Sequence, residues 1–376
     1  MKQAIYPLSA DPIHNGHIND IILLATKNGL FDQVIVAIGN DCNKKYLFGI
    51  EERLALTRMA IENSGIEPNK VVLESFQGLL RNYAFKKGVK FLIRGCRNSK
   101  DWEYEEALSD FNGEYGLQTL VFPASKEYRN VSSTLIRSVV RDGGLVHKYV
   151  QPVVKQALEE RIWGVSLIGV TGNMGSGKTT LCEKLVEYGT KKGVEISHIE
   201  FDKLVHSVYI ENTELGQEIR RSLVKNFGEE VVSGNAINRR KLAEIVFGDE
   251  EKRALLAEIL RIPSMVRLEE ELKTKKGIVL VDAAYFTEYN MLPIVNNNIL
   301  LVTCDEEERL RRIQARDGSS LEEIKEKIKA QHSVEKKREI ILKSKRFFYE
   351  VDNTSEPDIE TILEKIQASF PLGVRA

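Results

Sequence analysis

Two short stretches of this chain have residue types and spacings that suit phosphate chemistry. The first is Asp11-Pro12-Ile13-His14-Asn15-Gly16-His17, which follows an apolar N-terminal run. The second, residues 172–179, reads Gly-Asn-Met-Gly-Ser-Gly-Lys-Thr and follows the apolar residues 165–170. Two such stretches on one chain suggest two consecutive reactions on nucleotides.

The first stretch places two histidines at the start of a predicted helix. His14 and His17 are three residues apart, so they share one face of that helix. Its N-terminus presents unpaired N–H groups and a partial positive charge, which suit a phosphate group. Gly16 lets a phosphate or an adenine ring come close to the backbone. The stretch therefore predicts a site where histidines donate to the oxygens of a reacting phosphorus centre.

The second stretch matches GxxxxGK[ST] and lies between a predicted strand and a predicted helix, the context that a P-loop requires. We expect Lys178 to reach the β and γ oxygens of ATP, and Thr179 to be the Mg²⁺ ligand. The residues expected to bind ATP here are Gly172, Asn173, Met174, Gly175, Ser176, Gly177, Lys178, Thr179 and Thr180.

Short apolar runs alternate with amphipathic ones along the whole chain. Strands are predicted at 3–6, 33–38, 71–74, 91–93, 119–122, 166–170, 194–199, 277–282 and 299–303. Helices are predicted at 16–27, 50–63, 78–87, 101–112, 132–142, 150–162 and 321–346. Such alternation predicts an α/β fold of two doubly wound parallel-sheet domains, which we place at residues 1–161 and 162–376.

The composition limits which classes of ligand and which cell compartment we expect for this protein. The 376 residues carry a net charge of −1, so no bulk field attracts nucleic acid or an anionic membrane. The four cysteines are scattered and form no CxxC pair, so neither disulfides nor a zinc site is expected. We expect no signal peptide and no membrane span, and we expect a cytoplasmic protein that binds small molecules.

Residues 1–160 resemble a bacterial-type phosphopantetheine adenylyltransferase of the HxGH nucleotidyltransferase superfamily, with its Rossmann-like fold. The motifs that carry the resemblance include His14-Asn15-Gly16-His17, 48–53 (Phe-Gly-Ile-Glu-Glu-Arg), 92–97 (Leu-Ile-Arg-Gly-Cys-Arg), 125–128 (Ser-Lys-Glu-Tyr) and 131–134 (Val-Ser-Ser-Thr). The family usually has Gly-Thr-Phe where this chain has Leu8-Ser9-Ala10, so we expect this loop to be shaped differently.

The resemblance implies a role for each matching residue. The ATP-binding residues would be Ser9, Ala10, His17, Gly95, Arg97, Glu105, Tyr128, Ser132, Ser133 and Thr134. Lys44 and Arg94 would hold the 4′-phosphate of phosphopantetheine, Leu80 would line its pantetheine arm, and Ser9 would touch both substrates. Since the attacking group is already a phosphate dianion, positioning and charge neutralisation by His17, Lys44, Arg94 and Mg²⁺ can suffice for catalysis.

Residues 166–353 resemble a dephospho-coenzyme A kinase, whose motifs they match less closely than the first half matches its family. Asp202, at the end of Glu200-Phe201-Asp202, would accept the proton of the ribose 3′-hydroxyl. Lys178, Arg312 and Arg316 would face the transferring phosphoryl group, because the two arginines are one helical turn apart. Arg240 and Glu288 would bind the acceptor nucleotide.

The two resemblances together predict that the chain adenylylates 4′-phosphopantetheine and then phosphorylates dephospho-coenzyme A, with ATP in both steps. Two alternatives stay open. One is an NAD-forming adenylyltransferase fused to a ribosylnicotinamide kinase. The other is an adenylyltransferase with a non-catalytic, regulatory kinase-like domain. The superfamily resemblance also suggests a homo-oligomer formed through the first domain.

Overall fold

The computed structural model describes residues 1–27, 29–210, 213–233, 236–247, 249–317, 328 and 331–370, without the side chains of 239, 247, 316 and 317. The chain divides into two compact units, Met1–Leu158 and Glu159–Ala376. Each unit is built on a five-stranded parallel sheet with helices between the strands, the predicted α/β fold.

The sheet of the first unit has the strand order β3-β2-β1-β4-β5. Its strands are β1 (Gln3–Leu8), β2 (Gln33–Gly39), β3 (Val71–Phe76), β4 (Phe91–Cys96) and β5 (Gln118–Pro123). The central strands β1 and β2 are nearly continuous apolar runs, as expected of strands covered on both faces. The order reverses between β1 and β4, and doubly wound sheets bind ligands at such a switch point.

Helices cover this sheet at about the predicted positions. They are Ile50–Glu62, Leu80–Lys87, Ser99–Gly113 and Ser133–Arg141; a further helix, Pro152–Ile162, contains the residue at which the second unit begins. The helix after β1 differs in kind, since an α-turn (Asn15–His17) passes into a π-helix (Ile18–Leu23) and returns to α (Leu24–Lys27). A π segment rotates the side chains that follow it, and such segments are frequent at functional sites.

The second unit has the strand order β12-β11-β6-β10-β7. Its sheet consists of β6 (Val165–Thr171), β7 (Ile196–Glu200), β10 (Gly277–Asp282), β11 (Ile299–Thr303) and β12 (Phe348–Asp352). The short strands β8 (Val232–Ser233) and β9 (Ala236–Ile237) pair in antiparallel fashion. The helices are Lys178–Lys191, Phe201–Ile210, Glu214–Phe227, Arg239–Phe247, Glu250–Leu272, Glu306–Asp317, Val334–Leu342 and Ile359–Ser369.

Two elements of the second unit differ from expectation. Of the helical segment predicted at 321–346, residues 321–327, 329 and 330 lie outside the described residues, and between 331 and 346 the helix runs only from Val334 to Leu342. The strand β12 was not predicted, because only Val351 of its five residues is buried and its apolar signal is weak.

A buried polar contact lies at the start of the second unit. Asn296 is fully buried and its Nδ2 donates to Oε2 of the equally buried Glu159 at 2.6 Å. Among the residues that the structure describes, no helix combines the length and the apolar character needed to cross a membrane.

Candidate active sites

The first unit has a cavity of about 650 Å³ at the carboxyl ends of β1 and β4. Twelve of the residues predicted to bind ATP or phosphopantetheine line it. They are Ser9, Ala10, His17, Lys44, Arg94, Gly95, Arg97, Glu105, Tyr128, Ser132, Ser133 and Thr134. Leu80 does not line this cavity; it opens the helix Leu80–Lys87 and packs against the core around Ile5 and Leu92.

The two histidines stack in this cavity as their spacing predicts, with ring centroids 3.5 Å apart. Burial lowers the pKa of His14 to about 3, and burial together with His14 holds the pKa of His17 well below its usual value. The backbone N–H of His14 donates to Nδ1 of His17 at 3.3 Å. Because Nδ1 accepts, the neutral His17 ring carries its proton on Nε2, where it can donate to a phosphate oxygen.

Gly16 also has a packing role in this turn. A Cβ atom there would lie 3.0 Å from Cβ of Tyr128 and 3.2 Å from the His14 ring. Glycine therefore lets the histidine turn pack against Tyr128, whose hydroxyl also accepts from Nδ2 of Asn19 at 3.2 Å.

Arg94 and Glu105 form an ion pair with two short contacts, 2.6 Å from Nε to Oε2 and 2.7 Å from Nη2 to Oε1. Glu105 is buried, and Arg94 is about three-quarters buried. Arg97 pairs similarly with Asp101 at 2.8 Å, in a more exposed position. Carboxylates thus orient Arg94, which is predicted to hold the 4′-phosphate, and Arg97, which is predicted to bind ATP.

The loop after β1 is held by a buried arginine. Ala10 has a positive φ of 49°, in the left-handed region that residues with a side chain rarely adopt. Arg53 is fully buried, and its Nη1 donates to the carbonyl oxygens of Ser9 at 2.7 Å and of Gly39 at 2.9 Å. The guanidinium also stacks on Tyr46, 3.8 Å from the ring centroid. Arg53 therefore fixes the loop that carries Ser9.

Two further contacts close the same loop against the last helix of the cavity. Asp11 accepts from the backbone N–H groups of Leu47 and Phe48 at 2.9 and 3.0 Å, and Nη1 of Arg137 donates to the Asp11 carbonyl oxygen. Ser133 donates to the Pro12 carbonyl oxygen at 2.8 Å, while Ser132 caps the helix Ser133–Arg141. The two serines open the helix as predicted.

In the second unit, the residues after β6 form the predicted phosphate loop. Gly177 has φ of 85°, and a Cβ atom there would collide with the amide of Asn353. That amide donates to the Ser176 carbonyl oxygen at 2.7 Å. Nζ of Lys178 lies 3.4 Å from the Asn173 carbonyl oxygen, at the end of the helix where phosphates bind.

Thr179 donates to Oδ2 of Asp282 at 2.6 Å. Asp282 ends β10, and its register partner on β7 is Glu200. A hydroxyl and a carboxylate oxygen side by side next to a phosphate loop are the hard donors that Mg²⁺ prefers. The donor set therefore fits the predicted Mg²⁺, with Asp282 as a ligand that the sequence did not point out.

Asp202 lies in the first turn of the helix after β7. Asp202 is exposed as a residue, but the surrounding protein removes much of the hydration of its carboxyl group, and this is the main cause that raises its pKa to about 6. Lys178 opposes the rise, whereas Asp282 and Glu200 add to it. The group can therefore take up a proton near neutral pH.

Three further residues predicted for the kinase reaction are arginines. Arg312 contacts the phosphate loop, since its Nη2 donates to the Asn353 carbonyl oxygen at 2.9 Å and its Nη1 lies next to Gly177. Arg240 is an exposed residue whose Nε lies 3.3 Å from Glu244. The side chain of Arg316 lies outside the described residues.

Glu288 is engaged by protein groups. The fully buried Lys337 donates to its Oε1 at 2.6 Å and to the Ala284 carbonyl oxygen at 2.8 Å. The backbone N–H of His332 donates to the same carboxylate at 2.8 Å, and the His332 carbonyl oxygen accepts from Asn173 at 3.3 Å. Glu288 thus joins the buried lysine to the phosphate loop.

Several residues with a clear place in these sites were not assigned a role from the sequence. They are Asp11, Arg53, Arg137 and Asp282. The signal for Asp282 was present, because a buried apolar strand that ends in Asp is typical of a metal ligand next to a P-loop. Arg53 left no such signal, since an arginine inside a helix is usually a surface residue.

Comparison with known proteins relates the two units to two enzyme families. The cytidylyltransferase-like family model matches residues 5–139, and the dephospho-CoA kinase family model matches residues 166–343. The phosphopantetheine adenylyltransferase of Frankia alni is 38% identical over 162 residues, 43% of this chain and 98% of that protein. The enzyme of the same name from Pseudarthrobacter chlorophenolicus is 40% identical over 160 residues, 42% of this chain and 92% of its own length.

Among solved structures, TT1252 from Thermus thermophilus is 29% identical, with a TM-score of 0.44, and the match covers 55% of this chain and 97% of that one. The N-terminal matches cover nearly the whole length of the curated relatives. Through its first unit the chain belongs to the phosphopantetheine adenylyltransferase family, and its second unit matches the dephospho-CoA kinase family.

Proposed function

We propose that the chain catalyses two consecutive steps, the adenylylation of 4′-phosphopantetheine and the 3′-phosphorylation of the dephospho-coenzyme A that results. The observation that carries the proposal is the presence of two complete phosphate sites on one chain, the His17 cavity and the Lys178 loop. The product of the first reaction is the acceptor of the second. The proposed catalytic domains are residues 1–161 and 162–376.

In the first step, an oxygen of the 4′-phosphate attacks the α-phosphorus of ATP, and pyrophosphate leaves. Lys44, Arg94 and Arg97 line the cavity and would neutralise the phosphates, while Nε2 of His17 would donate to the oxygen on which charge develops. The Glu105 pair leaves the Nη1 edge of Arg94 for a substrate phosphate. No proton has to be removed from the attacking group.

In the second step, the ribose 3′-oxygen attacks the γ-phosphorus of a second ATP, and ADP leaves. Asp202 would accept the proton of the hydroxyl, and Lys178 and Arg312 would neutralise charge on the transferred group. Thr179 and Asp282 would hold Mg²⁺, which would supply positive charge to neutralise the ATP phosphates. We place both steps in the cytoplasm, where the four unpaired cysteines would stay reduced.

The test is one incubation of the full chain with phosphopantetheine, ATP and Mg²⁺, with the products resolved by mass. We expect the doubly converted product and two ATP consumed for each acceptor. Lys178→Ala and Asp202→Asn should stop at dephospho-coenzyme A after one ATP. Arg94→Ala should block the first step and still phosphorylate added dephospho-coenzyme A. Pyrophosphate release with a nicotinamide nucleotide but not with phosphopantetheine would contradict the proposal.

One observation favours a second candidate, a regulatory role for the second unit. The carboxylate of Glu288, which the resemblance assigns to the acceptor, is already bonded to Lys337 and to His332. If the wild-type chain stops at dephospho-coenzyme A with ATP and Mg²⁺ in excess, while ATP still binds to the phosphate loop, the second unit is a sensor and the kinase proposal is wrong.

A further inference from the structure

Three side chains with metal-binding atoms converge beneath the phosphate loop. Cys182 lies on the helix Lys178–Lys191, one turn after Thr179, and Asp282 ends β10. His198 lies on β7, where its register partner is Leu280, two residues before Asp282 on the same strand face. The Cys182 sulfur, a ring nitrogen of His198 and a carboxylate oxygen of Asp282 all lie within 4.8 Å of one another.

The cluster is buried, and one of its polar atoms has no partner. Cys182 is fully buried and Asp282 nearly so. Nε2 of His198 is buried and makes no hydrogen bond, although Oδ2 of Asp282 is only 3.7 Å away. Buried polar atoms are ordinarily hydrogen-bonded, so an unpaired imidazole nitrogen that faces a thiol and a carboxylate needs an explanation.

The distances fit a tetrahedral metal. With metal–nitrogen and metal–oxygen bonds near 2.0–2.1 Å and a metal–sulfur bond near 2.3 Å, ligand atoms lie roughly 3.3–3.8 Å apart. The 3.7 Å between His198 and Asp282 is already in this range. The sulfur lies within 4.8 Å of both other ligand atoms, and a water can supply a fourth ligand.

We propose that Cys182, His198 and Asp282 form a second cation site, selective for a thiophilic divalent metal such as Zn²⁺, and that its occupation switches off the kinase reaction. Sulfur and imidazole ligands favour Zn²⁺ and Co²⁺ over Mg²⁺, which prefers oxygen. The site therefore differs in chemistry from the neighbouring pair of oxygen donors, Thr179 and Asp282, although the two share Asp282.

Inhibition follows from the ligand that the two sites share. Asp282 accepts from Thr179 in the arrangement that would hold Mg²⁺. A metal bound to Cys182 and His198 would draw the same carboxylate away from Thr179 and place a second divalent charge next to it. The binding step stands on geometry alone, whereas the inhibitory consequence rests on the proposed kinase function.

Binding is tested on the full chain, without ATP, with Co²⁺ as the probe. Thiolate ligation gives Co²⁺ a strong charge-transfer absorption, and tetrahedral geometry intensifies its visible bands. We expect both signals at one equivalent of Co²⁺, their displacement by Zn²⁺, and their loss in Cys182→Ala and in His198→Leu. Cys304→Ala, in the same unit, is the matched control and should retain them.

A thermal melt of each variant separates lost ligation from lost folding. If Cys182→Ala melts early, Cys182→Ser and His198→Leu carry the test. Absence of the thiolate band in the wild type would overturn the proposal. So would its persistence in folded variants at both positions.

Inhibition is tested with dephospho-coenzyme A as acceptor and buffered free Zn²⁺ against excess Mg²⁺. We expect at least a tenfold loss of kinase rate in the wild type and little loss in His198→Leu, with adenylyl transfer by the same sample unchanged. Equal inhibition of wild type and His198→Leu would overturn the regulatory part. A wild type without kinase activity at any Zn²⁺ concentration would instead contradict the proposed function, and the Co²⁺ spectrum would still decide the site.

Discussion

Arg94 and Glu105 hold each other through two short contacts, 2.6 and 2.7 Å, on facing edges of guanidinium and carboxylate. The family resemblance assigns one to phosphopantetheine and the other to ATP, but in this structure they are each other's partners. Because Glu105 is buried, its negative charge is stabilised by the positive charge of Arg94. The carboxylate in turn fixes the orientation of the guanidinium. We therefore propose that the pair contacts the substrate through Arg94.

Glu105→Gln should reveal this orienting role. The amide keeps the size of the side chain but loses the charge-assisted pair, so Arg94 is no longer fixed. We expect kcat/KM for adenylyl transfer to fall by about tenfold or more, equivalent to the loss of about 1.4 kcal/mol of transition-state stabilisation. The exposed neighbour Glu106→Gln is the control. Equal rates for the two variants would contradict the assignment.

Arg53→Lys tests how the Ser9 loop is held. Lysine keeps the charge but lacks the second nitrogen, Nη2, which donates to Oδ1 of Asn40 at 3.0 Å, and the planar group that stacks on Tyr46. We expect a loss of about 2–3 kcal/mol in the free energy of unfolding and slower adenylyl transfer. Denaturant unfolding measures the first quantity, and Arg58→Lys, exposed on the same helix, should leave both unchanged.

The buried histidines predict a loss of stability in acid. His14 has a pKa of about 3 in the folded chain against an ordinary value of 6.5. Between these values the unfolded chain binds more protons, so the free energy of unfolding falls as pH falls below about 6.5. By pH 5 the cost from His14 is about 2 kcal/mol. Unfolding of the wild type at pH 7.5 and at pH 5 measures it, and His14→Asn should show a smaller difference.

The contact between Thr179 and Asp282 should be essential to the kinase reaction. Asp282→Asn removes a charged oxygen donor for Mg²⁺, so we expect the kinase rate to fall by about 100-fold and to need more Mg²⁺. Adenylyl transfer measured in the same sample is the internal control. A kinase rate within a factor of two of the wild type would exclude Asp282 from the metal site.

Asp202 should make kcat/KM of the kinase reaction depend on pH. A base with a pKa of about 6 must be unprotonated to accept the 3′-hydroxyl proton, so kcat/KM for dephospho-coenzyme A should decline as pH falls through about 6. Asp202→Asn should lower the rate strongly and abolish this limb. If the variant keeps the wild-type profile, another group is the base.

The sequence was sufficient to predict the two parallel sheets and the residues around the first cavity. These follow from alternating apolar runs and from motif residues at strand ends. Residues that position other site residues, and do not themselves line the cavity, were harder to predict from the sequence. The role of Arg53 depends on two carbonyl oxygens that only the fold brings to its side chain. Leu80 has the apolar character of a ligand contact, yet it packs against the core.

The π-helix and β12 were missed for local reasons. The residues Ile18–Leu23 have an ordinary helical composition, and nothing in them indicates the wider turn. In β12 one buried valine stands among charged and half-buried neighbours, as is common at the edge of a sheet. Asp282 was predicted as the end of a strand, but its role became evident only when the Thr179 hydroxyl was seen 2.6 Å away.

The buried contact between Glu159 and Asn296 determines where the chain can be cut for separate expression. The kinase family match starts at residue 166, so a fragment begun there would discard Glu159 and remove this acceptor from the amide of Asn296 inside the core. We expect such a fragment to be poorly soluble or unstable. A fragment that starts before Glu159 keeps the acceptor, so the useful cutting point lies upstream of the sequence match.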